Sequence, residues 1–222
     1  MSHNFWLLLH VLLLVFWLGT DVGVLLSAWV TKNKNLSTET REKILGIGMQ
    51  LDMFPRTALT LMLPTGMHLA IGTGQVSFSS STIALVWIFS LVWLAATWIR
   101  YLTEGKPIGM LATKACILID VIVMVVCGSI AISSFGGGGL VASDWLASKI
   151  LIFGLIALTT IALEFLFLPG VIAFIGIINE GSTPEREATY SKSINITIVS
   201  VLVIYALVIL AAWIGISKTG LF

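Results

Sequence analysis

The segment FWLLLHVLLLVFWLGTD, residues 5–21, is apolar along most of its length and has a histidine near its middle. The apolar run continues to residue 30, which exceeds the roughly 20 residues that a helix needs to cross a bilayer core of about 30 Å. We do not expect a cleavable signal peptide, because the run has no positively charged lead-in and is too long. The segment predicts a transmembrane helix with His10 embedded in it.

The composition extends this prediction to the whole chain. Hydrophobic residues make up 58% of the 222 residues and charged residues only 10%, a balance far from that of soluble proteins. The net charge of +1 gives no reason to expect a nucleic-acid partner. We therefore predict an all-α integral membrane protein, with residues 1–222 forming a single helical domain. The predicted spans are 5–30, 51–73, 83–101, 110–134, 145–168 and 192–216.

The charges of the loops predict the orientation. Lysines and arginines accumulate after the first, third and fifth predicted helices, whereas only Lys149 and Lys218 lie on the opposite side. The positive-inside rule then places the odd-numbered loops in the cytoplasm and both termini on the outer side. We take a bacterial inner membrane, with the termini in the periplasm, as the default, and an organelle membrane is the alternative. Little chain remains outside the lipid, so we expect a homo-oligomer or a subunit of a larger membrane complex. The cytoplasmic cations are Lys32, Lys34, Arg41, Lys43, Arg100, Lys106, Lys114, Arg186 and Lys192.

Three basic side chains form a predicted outer layer. At 1.5 Å per residue, His10, His68 and Lys149 each lie about 6–7 Å inside the outer ends of their helices. Two imidazoles at one depth can ligate a haem b from both faces, with Lys149 pairing with the haem propionates. The alternatives are interhelical hydrogen bonds for the histidines and a lysine that extends to the interface. A copper or zinc site is disfavoured, because neither cysteine nor carboxylate lies at this level.

Ionisable residues form a second layer at greater depth. Asp21 and Arg56 lie about 24 Å, Asp120 about 21 Å and Glu164 about 28 Å from the outer ends of their helices. Placing a charged side chain so deep in the bilayer costs free energy. We therefore expect these side chains to face the interior of the helical bundle, with Asp21 paired to Arg56. The layer is then either structural ion pairing or a proton path or quinone head-group site, in which Arg56 would bind the cofactor.

Several short motifs resemble one family. The sequence resembles the HemJ-type membrane protoporphyrinogen oxidases and the related CopD-like haem-associated membrane proteins. That resemblance implies a helical bundle and bound haem, with the histidine of the first helix and the lysine of the fifth tied to haem binding and activity. The matching residues are His10, Trp17-Leu18-Gly19, Arg41-Glu42-Lys43, Pro55, Gly66 and the run from Trp145 to Lys149.

The departures from that family lead to three competing functions. HemJ-type proteins are four-helix chains, so the third and fourth helices are an insertion, and His68 is not part of their pattern. His68 favours a six-coordinate haem b that passes electrons between a periplasmic redox partner or substrate and the quinone pool. The alternatives are a protoporphyrinogen oxidase-like enzyme of tetrapyrrole synthesis and a non-redox transporter or structural membrane subunit.

Overall fold

The computed structural model describes residues 2–221, and in this range every regular element is an α-helix. Consecutive helices are neighbours, and the last helix also contacts the first. The all-helical fold predicted from the sequence is confirmed. The helices are α1 (His3–Val30), α2 (Thr38–Gly72), α3 (Ser80–Leu102), α4 (Pro107–Ser134), α5 (Asp144–Glu180) and α6 (Pro184–Ser217).

Five of the helices are long and apolar enough to cross a membrane: α1, α3, α4, α5 and α6. Large apolar side chains cover the outside of the bundle; Leu85, Ile132 and Ile216, for example, are 65%, 70% and 79% exposed. A soluble protein rarely exposes so much contiguous apolar surface, so the chain is an integral membrane protein. The second helix is not among the five, and a sixth span along it stays a prediction.

The helix ends follow from local sequence. Ser37 caps α2 by accepting a hydrogen bond from the Thr40 N–H, and Pro107 occupies the first turn of α4. The fifth helix extends past its predicted apolar span, which stops at residue 168, and ends at Glu180. The sixth helix begins at Pro184, about two turns before its predicted apolar span, because Thr183 caps it there.

The first two helices pack antiparallel and close together. Trp6 stacks on His68 near one end, and Ser27 lies beside Gly48 near the other. A Cβ atom at Gly48 would lie only 2.8 Å from the Cβ of Ser27, so the two backbones approach closely there. The glycine is therefore part of the α1–α2 contact.

A buried ion pair joins the start of α2 to the start of α6. Arg41 donates two hydrogen bonds to Glu187, at 2.7 and 2.9 Å, and a third to the backbone oxygen of Thr31. The side chains of Arg41 and Glu187 are only 2% and 3% exposed. The guanidinium also lies over the rings of Phe174 and Tyr190. The sequence predicts Arg41 as one of the loop charges and gives no signal for this pair.

Candidate functional site

His10 is held against α2 by a hydrogen bond between its Nδ1 and the hydroxyl oxygen of Thr65, at 3.0 Å. The next residue of α2 is a glycine; a Cβ at Gly66 would lie 3.4 Å from Cε1 of the imidazole. At Gly66 the imidazole therefore lies against the backbone of α2. Its other nitrogen, Nε2, makes no hydrogen bond with residues 2–221.

The hydroxyl of Thr65 fixes the tautomer of His10. That hydroxyl donates its only proton to the backbone oxygen of Leu61, at 2.8 Å. Its oxygen is then left to accept, so a neutral His10 donates from Nδ1–H and keeps a free lone pair on Nε2. A histidine oriented by a hydrogen bond at one nitrogen and open at the other is the usual form of a metal ligand.

His68 is engaged by two tryptophans. Its Nε2 accepts a hydrogen bond from the indole N–H of Trp87 at 3.1 Å. Its ring stacks on Trp6, with 3.8 Å between ring centroids and 3° between planes. The lone pair that would bind a metal is therefore already used, and a metal at Nε2 would have to displace Trp87.

The two histidines lie on the same pair of helices but not directly opposite each other. His10 faces Thr65, whereas His68 faces Trp6, which precedes His10 by about one helical turn, or about 6 Å. A porphyrin between both rings would also have to separate α1 from α2, which touch at this level. Of the two histidines, His10 is the one whose Nε2 is free to bind a metal. Binding of one haem iron by both histidines stays a prediction, and it requires His68 to give up its hydrogen bond with Trp87.

Lys149 reaches inward from α5 and is close enough to His10 for their charges to interact. A Cβ at Gly215 of α6 would lie 2.6 Å from its Nζ, so the ammonium lies directly on the α6 backbone. Lys149 makes no hydrogen bond or ion pair with the described residues. Lys218 lies over the ring of Trp145, at 3.8 Å, at the same end of the bundle. Lys149 is the cation available to an anionic group beside His10.

A chain of ion pairs crosses the inner half of the bundle. Arg56 Nε donates to Asp52 at 2.5 Å, and its NH1 lies 3.4 Å from Glu164. Arg100 of α3 donates two hydrogen bonds to the same Glu164, both at 2.6 Å. The network links α2, α3 and α5. The sequence predicts Arg100 as a loop charge, whereas the structure places it in the last turn of α3.

The predicted pair of Asp21 and Arg56 does not form. Arg56 is bonded to Asp52, one turn away on its own helix, and to Glu164. Asp21 is only 5% exposed and has no ion-pair partner among residues 2–221. The prediction rests on matching depth, but depth does not determine which way a helix is rotated. Asp52, four residues before Arg56 on the same helix, is the nearer partner.

The inner acids and cations line one cavity of about 80 Å³. Asp21 and Asp120 both contribute to its wall, as do Arg56, Arg100 and Glu164. A water molecule needs roughly 10–15 Å³ of such space, so the cavity can hold several. Asp52, Thr97 and Thr160 add further polar groups to the lining. Apolar residues such as Trp17, Trp93 and Leu59 form most of the remainder.

Some residues of these sites had no recognisable signal in the sequence. Thr65 and Trp87 are ordinary residues of apolar helices until the fold brings them to the histidines. Thr160 contacts Asp120 from α5 in the same way. Within residues 2–221, no three His, Cys, Asp or Glu side chains converge as a set of metal ligands. The histidine and acid layers are therefore separate features.

Comparison with known proteins gives no further guide to these sites. No family model, curated protein or solved structure matches the chain. The functional conclusion has to be drawn from the residues and their geometry.

Proposed function

We propose that this chain is an integral membrane protein that binds haem b through His10 and transfers electrons between a partner on the outer side and the quinone pool. It would do so in a bacterial inner membrane, as a homo-oligomer or a subunit of a larger complex. The observation that carries the proposal is the imidazole of His10, with Nδ1 hydrogen-bonded to Thr65 and Nε2 free. A haem bound there would supply one-electron redox chemistry.

The residues around His10 have distinct parts in this proposal. Thr65 holds the ring orientation and the tautomer, and Gly66 lets the ring lie close to the backbone of α2. Lys149 provides a half-buried positive charge for the propionate groups, which need cations or polar donors. His68 is the second axial ligand only if it exchanges the indole of Trp87 for iron.

The hydrogen bond between His68 and Trp87 also favours a second candidate function. If His68 stays with Trp87, the face of the iron opposite His10 is open, as an enzyme that binds a substrate there requires. Lys149 could then pair with a substrate carboxylate, as in a protoporphyrinogen oxidase-like enzyme of tetrapyrrole synthesis. Rescue of a strain that lacks this activity, dependent on Lys149, would support the enzyme; absence of rescue with haem bound would support the electron carrier.

Redox spectroscopy of the purified full-length protein tests the electron-carrier proposal. We expect a reduced-minus-oxidised spectrum of haem b, and we expect a soluble quinone to reoxidise the reduced protein. His68→Ala separates the two ligation schemes. A change from low-spin to high-spin haem would place His68 on the iron, and an unchanged spectrum would leave it with Trp87.

Two results would reject the proposal. Colourless protein from cells with ample haem would favour the non-redox transporter or structural subunit. Bound haem that quinone cannot reoxidise would remove the link to the quinone pool.

A further inference from the structure

Asp120 and Asp21 are the two acids of the inner cavity that form no ion pair with residues 2–221, and Asp120 is the one with a buried oxygen that lacks a hydrogen bond. Its side chain lies in the wall of the cavity and only 7% of the residue is exposed. One carboxyl oxygen, Oδ1, is buried and accepts no hydrogen bond from residues 2–221. No lysine or arginine of the described chain forms an ion pair with it, in contrast to Asp52 and Glu164. An ionised carboxylate would be poorly stabilised here.

The contact with Thr160 also suits a protonated carboxyl. The Thr160 hydroxyl lies 3.3 Å from Oδ2 of Asp120, but only 2.7 Å from the backbone oxygen of Ala157. A hydroxyl has one proton, and the shorter contact takes the larger share of it. An ionised Asp120 therefore has no donor of its own, whereas a protonated one could donate to the Thr160 oxygen.

We infer that Asp120 is a proton-binding site that exchanges its proton with water in the inner cavity. The inference does not depend on haem at His10, because it concerns a different layer of the bundle. The ion pairs of Arg56 and Arg100 then act as fixed charges around the site. The proton enters and leaves through the cavity, which has room for several water molecules.

Four other helices, α1, α2, α3 and α5, place titratable groups in the cavity that Asp120 lines. Asp21 lies on α1, Asp52 and Arg56 on α2, Arg100 on α3, and Glu164 with Thr160 on α5. Cys116, one turn away on α4, faces the same cavity. The lining residues of α6 are Val201 and Ile204, which do not titrate. Loss of the proton from Asp120 would thus add a negative charge beside two arginines that are already paired to acids.

Infrared spectroscopy of the full-length protein in lipid nanodiscs tests the inference. We expect a carbonyl band of a protonated carboxylic acid at neutral pH, and we expect that band to shift when water is replaced by D₂O. Asp120→Asn should abolish this band. Glu104→Gln, which changes an exposed acid in the turn between α3 and α4, should leave it unchanged.

A second variant keeps the inference testable if Asp120→Asn does not fold. Thr160→Val removes the hydroxyl beside Oδ2 and nearly preserves side-chain volume, so it should displace the band without abolishing it. The inference is overturned if the wild type lacks the band throughout the neutral range. It is equally overturned if the band does not respond to D₂O, or if the band persists undiminished in folded Asp120→Asn. If Asp120→Asn does not fold, an identical band in the wild type and in Thr160→Val overturns the inference.

Discussion

The bond between His10 and Thr65 determines what His10 can do. Because the hydroxyl of Thr65 donates to Leu61, its oxygen is free to accept the Nδ1 proton of the imidazole. The lone pair on Nε2 is therefore available in the resting protein, without a change of tautomer. In His68 the corresponding lone pair is already used by Trp87. Two histidines in similar helices thus differ in their readiness to bind iron.

Removing the Thr65 hydroxyl should weaken haem binding without abolishing it. Loss of an orienting partner of a metal-bound histidine typically lowers metal affinity about 10–100-fold, and we expect Thr65→Val to have an effect of this size on haem. The measurement is the rate at which haem leaves the purified protein for an excess of apomyoglobin. Thr60→Val is the matched control, because among residues 2–221 the Thr60 hydroxyl bonds only to Thr57 of its own helix. Equal rates in the two variants would contradict the role given to Thr65.

Sequence patterns predicted the candidate residues better than their partners. An ionisable side chain inside an apolar run stands out in any sequence, which is why His10, His68 and Asp120 could be singled out. Their partners are ordinary residues whose importance depends on helix rotation, and rotation is set by packing. The error over Asp21 and Arg56 has this origin.

The contact between α1 and α2 depends on a small residue at the point of closest approach. Gly48→Ala would place a methyl group 2.8 Å from Ser27, and we expect overpacking of this kind to destabilise the protein by about 1–3 kcal/mol. Gly46, half a turn away, has open space where its Cβ would lie. Gly46→Ala should be neutral or stabilising by up to about 1 kcal/mol, because alanine favours helix. Thermal unfolding in detergent compares the two, and a Gly48→Ala protein as stable as Gly46→Ala would refute the close contact.

The ion pair between α2 and α6 should be more important for stability than an exposed pair. Glu187→Ala leaves Arg41 buried and without its carboxylate, a change that typically costs about 3–5 kcal/mol. Lys43→Ala breaks the exposed pair with Glu39 and should cost no more than about 0.5 kcal/mol. Denaturant unfolding of both variants measures the difference. Similar losses of stability would mean that the buried pair does not hold the helix ends together.

The helices themselves were largely predictable. Apolar runs predicted where the helices lie, and Ser37 is a capping residue at the observed start of α2. The extended start of α6 was missed, because its first two turns are polar and belong to a packing contact through Glu187 rather than to the lipid-facing surface. Hydropathy identifies what faces lipid and does not identify polar turns that continue a helix outside it.

At the scale of the whole molecule, the orientation and the path of α2 can be tested together. We predict that α2 crosses the membrane, so that the loops at its two ends lie on opposite sides. In intact cells a membrane-impermeant maleimide should label Ser77→Cys, which lies after α2, and not Asn35→Cys, which lies before it. Both positions are exposed, and the native Cys116 and Cys127 are buried. Equal labelling of the two variants in intact cells would contradict the predicted topology.

The arrangement of the bundle explains why its inner network could not be predicted. Charge counting assigned Arg100 to a cytoplasmic loop, yet α3 continues to Leu102 and directs this arginine at Glu164 of α5. Only the way α3 and α5 are placed around α2 brings Arg56 and Arg100 to the same carboxylate. Composition predicted a membrane protein with paired internal charges, whereas the pairing itself depends on the complete fold.

The amount of haem b bound per chain in purified wild type and in His10→Ala is the most direct test of the proposed function. The account predicts stoichiometric haem in the wild type, the same content in His3→Ala, whose histidine is the first residue of α1, and loss of haem in His10→Ala. A colourless wild type, or equal haem in His10→Ala and wild type, would contradict it.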